Sequence, residues 1–228
     1  MSPFVNIHTH YNNHIDNNEF VEIQNIDVDN IVNVDVSHFY SIGIHPWNLK
    51  SQKLKNSELQ KLGDLESGCL GDLNFLAIGE CGIDRVCGVD FEIQKEVFIK
   101  QIELSERIAK PLIIHAVRTY PDIISIRKET KAKQVWIIHG FQGNEQSAEQ
   151  LLKHADIYLS LGDVLFKNEA RAKQLLQVIP TDRLFFETDV AERKISDVYE
   201  KAALLSGLEM DKLRNDIFNN FVKIFGHI

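Results

Sequence analysis

Short apolar runs that each end on a polar, reactive residue recur along the chain. Residues 4–7 lead into His8, 39–44 into His45, and 75–79 into Glu80. Residues 112–114 lead into His115, 135–138 into His139, and 184–186 into Glu187-Thr188-Asp189. Runs this short, rich in Ile, Val and Phe and lacking polar alternation, predict strands buried on both faces, as in a parallel sheet. Between them the period becomes helical. Residues 91–109 interleave Phe91, Val97, Phe98, Ile102, Leu104 and Ile108 with Glu, Lys and Gln, and Pro111 stops the helix before the next strand. Residues 146–154, 168–178 and 209–225 predict further helices.

Strand and helix alternating along one chain imply a parallel sheet covered by helices. An open doubly wound sheet gathers its ligand site at one switch point, usually beside a Gly-rich phosphate loop. A closed barrel carries functional residues at the C-terminal ends of many strands. Here the reactive residues follow six separate runs, and the chain has no GxGxxG or Walker sequence. The expected fold class is therefore α/β, a (β/α)8 barrel, as a single domain over residues 1–228. It is expected to be trimmed or distorted near strand 2, because only 30 residues separate His10 from Ser41. Either residues 19–23 or residues 30–34 could form that strand.

The chemistry lies at the strand ends. In His8-Thr9-His10 the two imidazoles stand at i and i+2, so on an extended segment they share a face and can reach one cation. Glu80, between Gly79 and Gly82, follows an apolar run where an uncompensated charge would be costly, so it needs a cation, either a metal or a neighbouring Lys or Arg. His115 and His139 end matching apolar runs, and imidazole with carboxylate suits Zn, Mn or similar divalent ions. Asp189 is favoured over Glu187 as a ligand because it lies nearer the loop; a helix-capping role is its alternative.

The 228 residues can bury one substantial core; 44% are hydrophobic and 25% charged. A formal net charge of −8 argues against nucleic-acid binding through a broad basic surface, though not against meeting one phosphate at a metal. The N-terminal residues lack the pattern of a secretory signal, and Cys69, Cys81 and Cys87 form no even framework, so a cytoplasmic setting is expected.

His8-Thr9-His10, residues 41–46 (SIGIHP), residues 78–84 (IGECGID), residues 111–115 (PLIIH), residues 138–143 (IHGFQG) and Glu187-Thr188-Asp189 together resemble the TatD family of metal-dependent deoxyribonucleases, within the amidohydrolase-like barrels. Residues 219–226 are similar to the family's closing helix. The resemblance implies that His8, His10 and Asp189 hold one divalent ion, that His115 and His139 hold a second, and that Glu80 bridges the two. The ions would be Zn, Mn or Mg. His45 would touch the scissile phosphate, although orienting its own loop through Pro46 is an equal alternative, and Arg118 would be a further substrate contact. The expected reaction is phosphodiester hydrolysis by a hydroxide shared between the ions, with Asp189 and Glu80 as catalytic residues and DNA, single-stranded or at ends, as substrate.

Several positions depart from the family pattern. Asn6 stands where members commonly have aspartate, Tyr11-Asn12 where Leu-Asp is usual, and Val117 where an arginine is usual. The segment after Asp189 is shortened. A small-molecule amidohydrolase or ester hydrolase is the first alternative, and a non-catalytic metal-binding barrel the second. A nuclease should carry cations around the barrel mouth, and Lys50, Lys53, Arg85, Arg118, Lys167 and Arg193 are the candidates.

Overall fold

A computed structural model describes residues 1–11, 19–28, 38–49, 60, 63 and 71–226. Its strands are β1 (Phe4–Thr9), β2 (Phe20–Asp27), β3 (Tyr40–Gly43), β4 (Phe75–Asp84), β5 (Leu112–Val117), β6 (Trp136–Ile138), β7 (Ile157–Leu161) and β8 (Leu184–Phe186). The helices are α1 (Phe91–Ile108), α2 (Tyr120–Thr130), α3 (Glu145–Leu152), α4 (Val164–Lys167), α5 (Glu169–Val178), α6 (Ile195–Ser206) and α7 (Met210–Phe225). The strands lie in one sheet in sequence order, pairing in parallel, and a parallel bridge joins Thr9 to Asp189. This is the (β/α)8 barrel.

The fold departs from the expected strand limits. β4 and β5 run past the predicted ends, so Glu80 and His115 sit inside strands and not at their ends. The cause is pairing: Cys81 to Asp84 stay in parallel register with residues 114–117, which carries both strands on. β7 was missed because no reactive residue follows Ile157–Leu161, and Tyr120–Thr130 was missed because its apolar period is weak. The second strand is β2, overlapping residues 19–23, whereas residues 30–34 lie outside the described residues.

The chain divides into two compact units, residues Met1–Gln24 with Ile137–Ile228, and Asn25–Trp136. In the first, Tyr199 of α6 is buried among Phe4 and Phe186, at centroid separations of 5.0 and 4.7 Å in edge-on geometry. Its hydroxyl donates to the Val5 carbonyl and accepts from the Val5 amide, both at 3.1 Å. Arg214 of α7 lays its guanidinium 4.0 Å from the Phe4 ring and donates to the Ser2 carbonyl. These contacts hold β1, which ends in the first pair of histidines.

In the second unit α1 packs Val97, Phe98 and Ile102 inward. Two glutamines on that buried face, seven residues apart, hold strand ends. Gln94 accepts from the Asp84 amide at 2.7 Å and donates to the Asp84 carbonyl at 3.1 Å. Gln101 does the same for Ile44, at 2.7 and 3.1 Å. Each glutamine satisfies backbone groups that would be costly to bury unpaired, and so positions the residues beside them, His45 and Asp84.

Candidate metal centre

The first unit brings together His8, His139 and Asp189, whose donor atoms lie within 4.8 Å of one another. His8 is fully buried at the end of β1, and its ring lies 4.2 Å from that of His139, which follows β6. The alternation expected of His8-Thr9-His10 is seen: both imidazole Nε2 atoms lie 3.5 Å from Asp189 Oδ1. Asp189 caps no helix, since α6 begins at Ile195 with Lys194 at its cap. Its φ of 53° is left-handed, a region Asp tolerates better than most residues.

Glu187, which the residue pattern ranks below Asp189 as a ligand, is buried beside this group. Its Oε1 accepts from the Gly140 amide at 2.5 Å and lies 3.6 Å from His139 Nδ1. Gly140 adopts φ 54°, a left-handed turn that aims its N–H at that oxygen. Glu187 Oε2 is buried and lacks a hydrogen-bond partner among the described residues. A carboxylate oxygen in that position needs positive charge nearby. The two imidazoles and the Asp189 carboxylate fit a divalent cation.

Asn6, where the family commonly has aspartate, donates to Glu22 Oε1 at 2.8 Å and to Thr188 Oγ1 at 2.9 Å, and accepts from the Thr188 amide at 3.0 Å. An amide can donate and accept at once, whereas an aspartate would face Glu22 with like charge. The substitution is matched to Glu22.

The second unit gathers His45, Glu80 and His115 with donor atoms again within 4.8 Å. Glu80 Oε1 lies 3.1 Å from His45 Nε2 and 2.8 Å from His115 Nδ1. The Glu80 amide donates to Asn25 Oδ1 at 2.5 Å, and Asn25 lies outside every motif of the sequence. The other His115 nitrogen, Nε2, meets Asp84 Oδ2 at 3.0 Å. Asp84 is the last residue of the GECGID segment, and its role rests on this contact with His115. Burial pushes its carboxyl up, but hydrogen bonds from His115, the Trp47 indole and the Val86 amide outweigh that and hold it below the ordinary carboxylate value. Burial, reinforced by Glu80, raises the adjacent Cys81 thiol well above its usual value, so it stays neutral.

His45 follows β3 and precedes a 3-10 turn, Pro46–Asn48. Its Nδ1 accepts from the Trp47 amide at 3.1 Å, which assigns the proton to Nε2, the atom facing Glu80. His45 thus orients its loop and also points a donor into the group. Gly82 permits the strand pairing here: at φ 136°, an added Cβ would lie 2.1 Å from the His115 carbonyl oxygen.

His139 stands with His8 and Asp189, and His115 with His45 and Glu80. Arg118 is exposed just after β5, with φ 57°. The other rim cations are already paired: Arg85 forks onto Asp122 at 2.8 and 3.1 Å, and Lys167 and Arg193 both reach Asp163. Lys50 and Lys53 lie outside the described residues. No helix among the described residues is long and apolar enough to cross a membrane.

The TatD related DNase family profile matches residues 24–226. The uncharacterized metal-dependent hydrolase YabD of Bacillus subtilis (strain 168) is 41% identical over 117 residues, 50% of this chain and 46% of that protein. The uncharacterized metal-dependent hydrolase YcfH of Escherichia coli (strain K12) is 29% identical over 166 residues, 66% of this chain and 62% of that one. The matched part thus spans about half to three-fifths of these relatives' length. The crystal structure of YjjV, a TatD homologue from Escherichia coli K12, superposes with a TM-score of 0.83 at 20% identity, covering 99% of this chain and 98% of that one. With a family match over most of its length and the barrel to go with it, the chain belongs to the TatD related DNase family.

Proposed function

We propose that the chain is a divalent-metal-dependent phosphodiesterase that cleaves DNA, single-stranded or at strand ends, with one ion (Zn, Mn or Mg) at each donor group. The observation that carries this reading is the pair of His and carboxylate groups, His8, His139 and Asp189 in one unit and Glu80 and His115, with His45 beside them, in the other. His10, converging on Asp189, joins the first group. Family membership and relatives described as metal-dependent hydrolases support the same chemistry. Ions bound there would supply Lewis acidity toward a phosphoryl oxygen and toward attacking water.

The chain's own residues then have defined tasks. Asp189, whose side chain keeps 37% of its surface exposed, accepts the proton of attacking water. Glu187 Oε1 faces the Nδ1 side of His139 at 3.6 Å, leaving Nε2 for a ligand role. Asp84 holds His115 Nε2 in the same way, so that Nδ1 and Glu80 form the ligating pair. His45, protonated on Nε2, donates to a substrate oxygen. Arg118 offers an exposed cation to the phosphate chain.

The test is hydrolysis of end-labelled single-stranded DNA and of bis-p-nitrophenyl phosphate by chelator-stripped protein, before and after Mg, Mn or Zn is restored. Cleavage of both that requires the metal is the expected result. Metal uptake with every phosphodiester left intact, and hydrolysis of an amide or carboxylic ester instead, would move the assignment to an amidohydrolase or esterase, which the net charge of −8 favours.

A further inference from the structure

Trp47 is 62% exposed, and a single exposed aromatic is unremarkable by itself. What sets it apart is how firmly it is held. Its indole N–H donates to Asp84 Oδ2 at 2.7 Å, and its ring meets those of His45 and His115 edge-on, at 5.1 Å and 5.8 Å. Its backbone N–H is bound by His45, and Pro46 fixes the chain before it. The side chain's polar atom is therefore satisfied within the protein, while much of its apolar surface faces water. Such a ring loses little rotamer freedom when something packs on it.

The neighbourhood indicates what that would be. The same two histidines that flank the indole contact Glu80, so the ring stands one residue away from the proposed phosphate-processing group. In a nucleotide, base and phosphate are likewise separated by one sugar. Ionic grip here is reduced, because Arg85 is bound to Asp122. A nucleic-acid enzyme with net charge −8 needs a non-ionic hold, and an aromatic face supplies one that accepts any base. We propose that Trp47 is a stacking platform for the nucleobase next to the phosphate presented to Glu80 and His115. Only an unstacked base can reach such a face, so the preferred substrate is a single strand or a frayed end. This rests on the phosphodiesterase reading above.

Binding, read without turnover, tests it. The chain has two tryptophans, and Trp136 is fully buried, so quenching by an added ligand reports on Trp47. A short oligothymidylate is expected to quench the full chain, and an abasic deoxyribose-phosphate oligomer of equal length is not. By fluorescence anisotropy of labelled oligothymidylate, Trp47→Ala should weaken binding about 10-fold or more, with Trp47→Phe recovering most of it. Equal affinity of wild type and Trp47→Ala, or equal quenching by the abasic oligomer, would overturn the platform while DNA cleavage by the wild type left the phosphodiesterase reading standing. A wild type that neither binds nor cleaves DNA would overturn both.

Discussion

Asp189 is joined to His8 twice over: its amide donates to the His8 carbonyl at 3.1 Å, and its carboxylate Oδ1 lies 3.5 Å from the His8 imidazole Nε2. The His10 amide in turn donates to the Asp189 carbonyl at 3.1 Å. The main-chain bonds place the carboxylate, and the carboxylate then meets both imidazoles. Backbone position and side-chain chemistry can therefore be separated by mutation.

Asp189→Asn keeps the side chain's shape and a residue that tolerates φ 53°. It removes the charge that would face a cation and the base that would take a proton. Metal-dependent turnover should fall by ~10²–10⁴-fold, with the thermal midpoint close to wild type. A large loss of stability with retained activity per folded molecule would show that Asp189 is structural.

Glu187→Gln should act on metal affinity before it acts on the fold. Its amide oxygen can still accept from Gly140, but the negative charge beside His139 is lost. Supporting residues of this kind are worth ~10–100-fold in metal affinity. Titration of chelator-stripped protein with Mn measures the change, and an unaltered dissociation constant would remove Glu187 from the metal centre.

Gly82→Ala should be among the most damaging single substitutions in the second unit. A Cβ at that position would lie 2.1 Å from the His115 carbonyl, on a backbone at φ 136°. The combined strain and overpacking should cost about 3 kcal/mol or more. Gly88→Ala meets no atom within 4 Å and serves as the comparison, expected within ~0.5 kcal/mol of wild type. Urea denaturation of both variants gives the difference.

Tyr199 links stability to alkaline pH. Burial, partly offset by its bond to Val5, raises its folded-state pKa above the ordinary tyrosine value. The neutral phenol's contribution is therefore complete below the unfolded pKa of ~10 and is lost as pH rises toward the higher folded value. Tyr199→Phe should cost ~1–3 kcal/mol at pH 7, because the buried Val5 amide and carbonyl lose their partner. It should also flatten the decline in stability above pH 10. Urea midpoints from pH 7 to 11 would show both effects, and parallel curves for the two proteins would refute the linkage.

Much of this could be read in the residue pattern, for identifiable reasons. Uninterrupted apolar runs marked six of the strands, and the polar residue ending each run marked the donors, because a charge or imidazole at a buried strand end needs a partner. β7 ends in Leu161 and carries no such mark, which is why it was passed over. Gln94 and Gln101 look like polar punctuation on a helix, since their role depends on strand ends that sequence spacing does not locate. Asp84 and Asn25 support the donors through hydrogen bonds and Glu187 lies beside His139, contacts that spacing along the chain does not reveal. The assignment of His139 to the group of His8 and Asp189 follows from three-dimensional placement, which chain order does not encode.

The most direct measurement is the number of Mn ions bound per chain, by calorimetric titration of chelator-stripped wild type, Asp189→Asn and His115→Ala. About two are expected for the wild type, as in two-metal hydrolases, and about one for each variant. A wild type that takes up no metal, or variants that bind as it does, would contradict the assignment of these two groups as the metal centre.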